Sequence, residues 1–189
     1  MILDNLLTFT GTSNGATGGI TSTANADLPT TGTQVASNII DLGLSGLPAS
    51  ISGGGGGGAR DIGAGDDPAL KLSAICLTAF NNSATLQLIL QGAIDNGSGA
   101  PSGTWTTMWS SAVIANAALI AGVQLANIDV PRVVPGQAPP RFLRLEFVTG
   151  TGTNSTGTVE AQIVLDRFDQ IVGTGGALSG YPAGITIAN

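Results

Sequence analysis

The sequence predicts an all-β sandwich or barrel, on three observations. From residue 60 onward, successive segments alternate apolar and polar residues with the period of a half-buried strand. Turn-forming clusters of Gly, Asn, Asp and Pro separate these segments. The composition suits strands and turns: 29 glycines, abundant Thr, Ser, Asn and aliphatics, 10% charged residues and 4% aromatics. At 189 residues the chain can hold one good core, and that core is built from Leu, Ile, Val and Ala.

In chain order, residues 1–59 come first and read as an extended arm. They are rich in Gly, Thr, Ser and Asn, with two small apolar islands, ILDNLLTF at 2–9 and NIIDLGL at 38–44. The stretch between has little periodicity and little to bury, so it cannot offset its own ordering entropy. The islands give it something to dock with. Six consecutive glycines at 53–58 form a flexible loop that closes the arm. They satisfy G-x-G-x-x-G only trivially, with no strand before, no helix after and no GK[ST].

Residues 60–189 form the β-domain. A long apolar run at 69–80 (ALKLSAICLTAF) opens it. At 85–94 (TLQLILQGAI), Leu86, Leu88, Leu90 and Ile94 oppose Gln87 and Gln91. WTTMW at 105–109 sets Trp105, Thr107 and Trp109 on one face, and VQLANIDV follows at 123–130. At 141–149 (RFLRLEFVT), Leu143, Leu145 and Phe147 oppose Arg144 and Glu146. At 158–166 (TVEAQIVLD), Val159, Ala161, Ile163 and Leu165 oppose Glu160, Gln162 and Val164. Asn81-Asn82, DNGSG at 95–99, Pro135-Gly136, Pro139-Pro140 and the Gly/Thr-rich 150–157 punctuate these strands. Only 111–121 (SAVIANAALIA) has a helical reading, and it is short.

Composition also bounds function. The chain has no histidine, one cysteine and two glutamates, so no Ser–His–Asp or Cys–His arrangement is possible. Net charge is −6, and the six cations are scattered, so no cluster exists to displace counterions from nucleic acid. No apolar stretch approaches the roughly 20 residues of a membrane span, and the N-terminal residues have no basic-then-apolar signal pattern. Cys76 has no disulfide partner and reads as a small buried hydrophobe. Function is therefore expected to reside in a surface and an assembly, with no active site, cofactor or metal.

Each remaining candidate has a plainer explanation. Asp61, Asp66 and Asp67 in RDIGAGDDP lack the spacing of a calcium loop and read as a turn before a strand. Asp95-Asn96-Gly97 reads the same way. Trp105 and Trp109 read as core or subunit interface, with stacking on sugar rings as the competing reading. Arg141, Arg144, Glu146, Glu160, Asp166, Arg167 and Asp169 read as ion pairs on a solvated sheet face, with an interface as the other reading, since Arg is enriched there. Glu146 and Glu160 are the one possible glycosidase pair, and nothing in the sequence brings them into a cleft. Three N-x-[ST] matches, at Asn81, Asn96 and Asn154, are the chance yield of this composition.

Several segments, in order, resemble the capsid cement (decoration) proteins of tailed bacteriophages of the Bordetella-phage type. They are MILDNLLTFTGTSNGATGGITS, RDIGAGDDPALKL, LQGAIDNGSGAPSGTWTTMWSS, NIDVPR with RFLRLEF, and GTVEAQIVLDRFD followed by YPAGITIAN. The resemblance implies a jelly-roll β-sandwich with an extended N-terminal arm, on the outer surface of an icosahedral virion head. It implies many copies clamping neighbouring major capsid protein subunits, as homodimers, with homotrimers the rival. It carries over no catalytic residue. In that role Ile2, Leu3, Leu6, Leu7 and Phe9 are the expected partner-binding anchors of the arm, and Tyr181, Pro182 and Ile185 a second set. Such arms add contact and avidity to subunits already in place. The competing function is a carbohydrate-binding β-sandwich module of a phage appendage, which needs Trp105 and Trp109 exposed together.

Overall fold

The computed structural model describes residues 7–11, 21–22, 26–42, 70–82, 85–131, 140–150 and 152–165. They form nine strands: β1 Thr21–Ser22, β2 Asp27–Leu28, β3 Gly32–Asp41, β4 Leu70–Thr78, β5 Thr85–Ala93, β6 Thr106–Ser110, β7 Gln124–Asp129, β8 Phe142–Gly150 and β9 Thr158–Leu165. All pairings are antiparallel. One sheet has the order β1-β2-β9-β4-β7 and the other β3-β8-β5-β6.

The topology follows from one folded hairpin. β5 pairs β6, β4 pairs β7, β3 pairs β8 and β2 pairs β9, nested about the β5–β6 connection. Rolling that ribbon brings β4 against β9 and β5 against β8, which closes the two sheets. Eight strands wound this way are a jelly roll. The expected fold class therefore holds, and each of the six strands read from residue 60 onward has its counterpart in β4 to β9.

The core lies between the sheets, and its two layers differ in bulk. β5 and β8 supply Leu86, Leu88, Leu90, Leu143, Leu145 and Phe147, all buried. The facing sheet is thinner at its centre. Ala126, Ala74 and Ala161 sit side by side across β7, β4 and β9. Large residues on one sheet over small ones on the other fill the space between them. Cys76 belongs to this layer, where burial pushes its thiol pKa up and keeps it protonated and inert.

The arm is where the fold departs from expectation. Residues 7–11 and 26–42 are built into the sandwich, and β3 alone contributes ten residues to the second sheet. Part of the stretch read as an arm therefore lies within the sandwich. Hydropathy missed β3 for a physical reason. Its buried positions include small Ala36 and polar Ser37, and its register shifts between Val35 and Ile39, so no alternation survives. The glycine run at 53–58 lies outside the described residues. The helical reading of 111–121 reduces to a single 3₁₀ turn at Asn116–Ala118.

Candidate interaction surface

The strands give the sandwich two ends. The described residues of four connections, 29–31, 79–82, 111–123 and 152–157, lie at one end. The chain at 111–123 crosses there from the second sheet to the first. It is tied to β5 where it begins, through Ile114 N–H to Leu86 O (2.8 Å) and Leu86 N–H to Ile114 O (3.0 Å). It is tied to the β4 side where it finishes, through Phe80 N–H to Leu119 O (3.0 Å), Gly122 N–H to Cys76 O (2.7 Å) and Cys76 N–H to Val123 O (2.9 Å). Leu119, 1% exposed, plugs the core beneath.

Asparagines clamp the neighbouring turns. Asn81 Oδ1 accepts the N–H of Ser155 and of Thr156, and its amide donates to Ser155 Oγ. Asn82, left-handed at φ 64°, donates to Thr153 O. Asn154 is buried and donates to Thr30 O and Pro29 O. Gly157 is obligatory. It sits at φ 115°, and a Cβ there would lie 2.4 Å from the Phe80 ring. Two of the three N-x-[ST] asparagines are thus turn clamps of this end.

Among the described residues, the connections of this end carry no charged side chain. No Asp, Glu, Lys or Arg occurs in 28–40, 72–94, 96–128 or 147–159. It does carry exposed aliphatics: Val113 is 62% exposed, Ile120 54% and Leu77 43%. They account for three of the five large hydrophobic side chains exposed among the described residues. A neutral surface with aliphatic tips is chemically suited to burial against a partner, because it loses little hydration on contact.

The opposite end is ionic. The Arg141 guanidinium grips Asp41 with two bonds, Nε–Oδ1 at 2.8 Å and Nη2–Oδ2 at 2.9 Å. It reaches Asp95 with Nη1 and lies 4.8 Å over the Phe142 ring. Partial burial pushes the Asp95 carboxyl up, but the N–H groups of Gly99 and Gly97 and the Arg141 charge outweigh it and hold it below the usual range. DNGSG is therefore a turn whose carboxylate is already used. Lys71 pairs with Asp129 at 2.8 Å on the first sheet near the same end.

On the outer face of the second sheet, Arg144 donates to Gln91 Oε1 (2.7 Å), Gln91 donates to Glu146 Oε2 (3.2 Å), and Arg144 stacks 4.3 Å from Trp105. Arg144 and Glu146 thus pair on this face with a glutamine inserted, while Asp166, Arg167 and Asp169 lie outside the described residues. Trp105 and Trp109 do not share a face. A bulge at Met108 pairs Trp109 with core-facing Leu90 and Thr107 with outward Gln91. Trp109 packs on the core while Trp105 lies outside with Arg144, so the flat two-tryptophan platform that sugar stacking requires is absent. Glu146 and Glu160 lie in different sheets, each opposite its strand's core positions, so they do not form a carboxylate pair. Among the described residues no three His, Cys, Asp or Glu side chains gather to hold a metal. Asp61, Asp66 and Asp67 lie outside them.

Of the expected anchors, only Leu7 and Phe9 fall within the described residues. Phe9 is 0% exposed and packs in the chain's own core. Leu7 is partly buried against the same core. An aromatic in a short apolar island satisfies an internal slot as readily as an external one, and hydropathy does not separate the two. Ile2, Leu3, Leu6, Tyr181, Pro182 and Ile185 lie outside the described residues. No pattern marked Val113 and Ile120, but the charge-free run of 96–128 was available in the sequence as a signal.

A family model described as Bbp16 matches residues 22–163, three quarters of the chain and all strands from β2 to β8 with most of β9. No curated protein matches the chain.

Proposed function

The chain belongs to Bbp16, a Bordetella phage protein family, and from that membership we propose that it is a structural virion protein that cements the capsid. In this reading it sits on the outer surface of the icosahedral head, works as a homodimer and holds neighbouring major capsid protein subunits together. It turns over no substrate. The observation that carries the reading is the neutral end of the sandwich, with Val113, Ile120 and Leu77 exposed on it.

A chain of net charge −6 gains from keeping its charges away from the surface it buries. Docking through the neutral end leaves the Arg141–Asp41–Asp95 cluster directed away from the contact. The test is direct. Purified protein is added to expanded heads that lack it, and bound protein is measured by co-sedimentation alongside resistance of the heads to heat. The expected result is saturable binding with stoichiometry fixed by the lattice and a raised disruption temperature. No association with expanded heads would remove the reading.

A further inference from the structure

The turn after β5 carries the pair Asn96-Gly97, and we propose that Asn96 is a latent deamidation site, held unreactive by the folded turn and released when the turn opens. The reaction needs no co-reactant but water. The Gly97 nitrogen gives up its proton and bonds to Asn96 Cγ, the Cγ–Nδ2 bond breaks, and Nδ2 leaves with that proton as ammonia. Water then opens the succinimide at either carbonyl, which leaves aspartate or isoaspartate at 96. Residues 96–99 are exposed, so water has access. A following glycine, with no side chain to shield its nitrogen, makes the pair the least hindered for ring closure.

The folded turn opposes each step. Closing the ring brings Asn96 Cβ, Cα and C into one plane with the Gly97 nitrogen, at a ψ near about −120° that lies between the α and β wells. The closed turn keeps the Asn96 backbone from swinging there. Its own N–H donates to Ala100 O (2.9 Å), and Ser102 N–H donates to Ile94 O (2.9 Å). The electrophile is held as well. Asn96 Oδ1 accepts Ser98 N–H (2.8 Å), the Ser98 hydroxyl (2.7 Å) and, at greater length, Ala100 N–H (3.4 Å). The nucleophile is held by a charge. Gly97 N–H donates to Asp95 Oδ1 at 2.6 Å, so removing its proton sets a second negative charge against the carboxylate. Asp95 is itself fixed, by Gly99 N–H (3.1 Å) on the same oxygen and by Arg141 on the other. Reaction therefore waits for local opening, and its rate scales with the fraction of time the turn is open. Conversion then loosens the turn. Aspartate at 96 adds a carboxylate beside Asp95, and isoaspartate adds a methylene to the backbone between Asp95 and its bridge partner Pro101.

The rate is read on the full chain in mildly alkaline buffer by peptide mapping with mass spectrometry. The map counts aspartate and isoaspartate at 96 separately from Asn14-Gly15, an Asn-Gly pair outside the described residues. The reference is a peptide of residues 92–102 in the same buffer. The folded chain is expected to react at least about tenfold more slowly than the peptide. A smaller difference overturns the proposal. Asp95→Ala then tests whether this turn supplies the protection. It is expected to raise the folded chain's rate at least about threefold more than it raises the peptide's, and a smaller rise overturns the proposal. Should that variant not fold, Ser98→Ala, which removes the hydroxyl donor to Asn96, takes its place with the same two readings.

Discussion

At one end of the sandwich, three chain segments are fastened through a single guanidinium; at the other, four connections are fastened by asparagine amides and an inserted leucine, with no charged side chain among their described residues. The ionic end depends on pH and salt. The neutral end depends on packing and neutral hydrogen bonds, neither of which answers to mild changes of either. An end fixed this way can expose Val113 and Ile120 in one geometry under varied conditions. That is a useful property in a surface that must match a partner.

The contrast can be broken at the neutral end first. Leu119→Ala removes the side chain that plugs the core beneath the crossover, and is expected to cost about 2–5 kcal/mol in urea denaturation. A loss under about 1 kcal/mol would show that the crossover lies on the core without belonging to it. Arg141→Ala at the other end is expected to cost less, about 1 kcal/mol, because its partners are partly solvated and each exposed pair contributes little. That difference should shrink as salt is raised, whereas the Leu119→Ala difference should not.

Acid sharpens the same comparison. Asp95 has its folded pKa held below that of the unfolded chain, near 3.9. It therefore contributes stability above that value, and the contribution is lost as pH falls through the folded pKa. Amide exchange followed from neutral pH down to about 3 should show the 95–99 turn losing protection, after correction for intrinsic rates, while Leu119, Gly122 and Val123 keep theirs. Equal loss at both ends would erase the distinction. The smallest effect on stability belongs to the surface tips. Val113→Ser and Ile120→Ser should each shift the unfolding midpoint by no more than about 0.5 kcal/mol.

What the sequence disclosed follows the same physics. β5 and β8 were legible because each has one face buried under large apolar residues and the other chiefly polar, so period 2 survives in the residue types; β9 alternates less cleanly, with Gln162 and Val164 buried beside Ala161 and Ile163. β3 was not, because its buried positions are Ala36, Ser37 and Ile40 around a bulge. Asp27 reads in the sequence as one more turn acid. Only its bonds to Gly11 and Ser37 reveal a buried carboxylate that joins two strands to the N-terminal segment. Its folded pKa is raised, chiefly by burial, so this group's contribution to stability falls as pH rises through the interval above about 3.9. The bulge at Met108 is likewise invisible to alternation, and it alone separates two tryptophans that the pattern WTTMW places together.

The neutral end as docking surface is most directly tested with the double substitution Val113→Asp and Ile120→Asp, compared with the unsubstituted chain in co-sedimentation with expanded heads. Both positions are more than half exposed, so the folded chain should keep its unfolding midpoint within about 1 kcal/mol. Burying two unpaired carboxylates in the contact should weaken binding by at least about a hundredfold. Binding at unchanged affinity by the folded double variant would contradict the account.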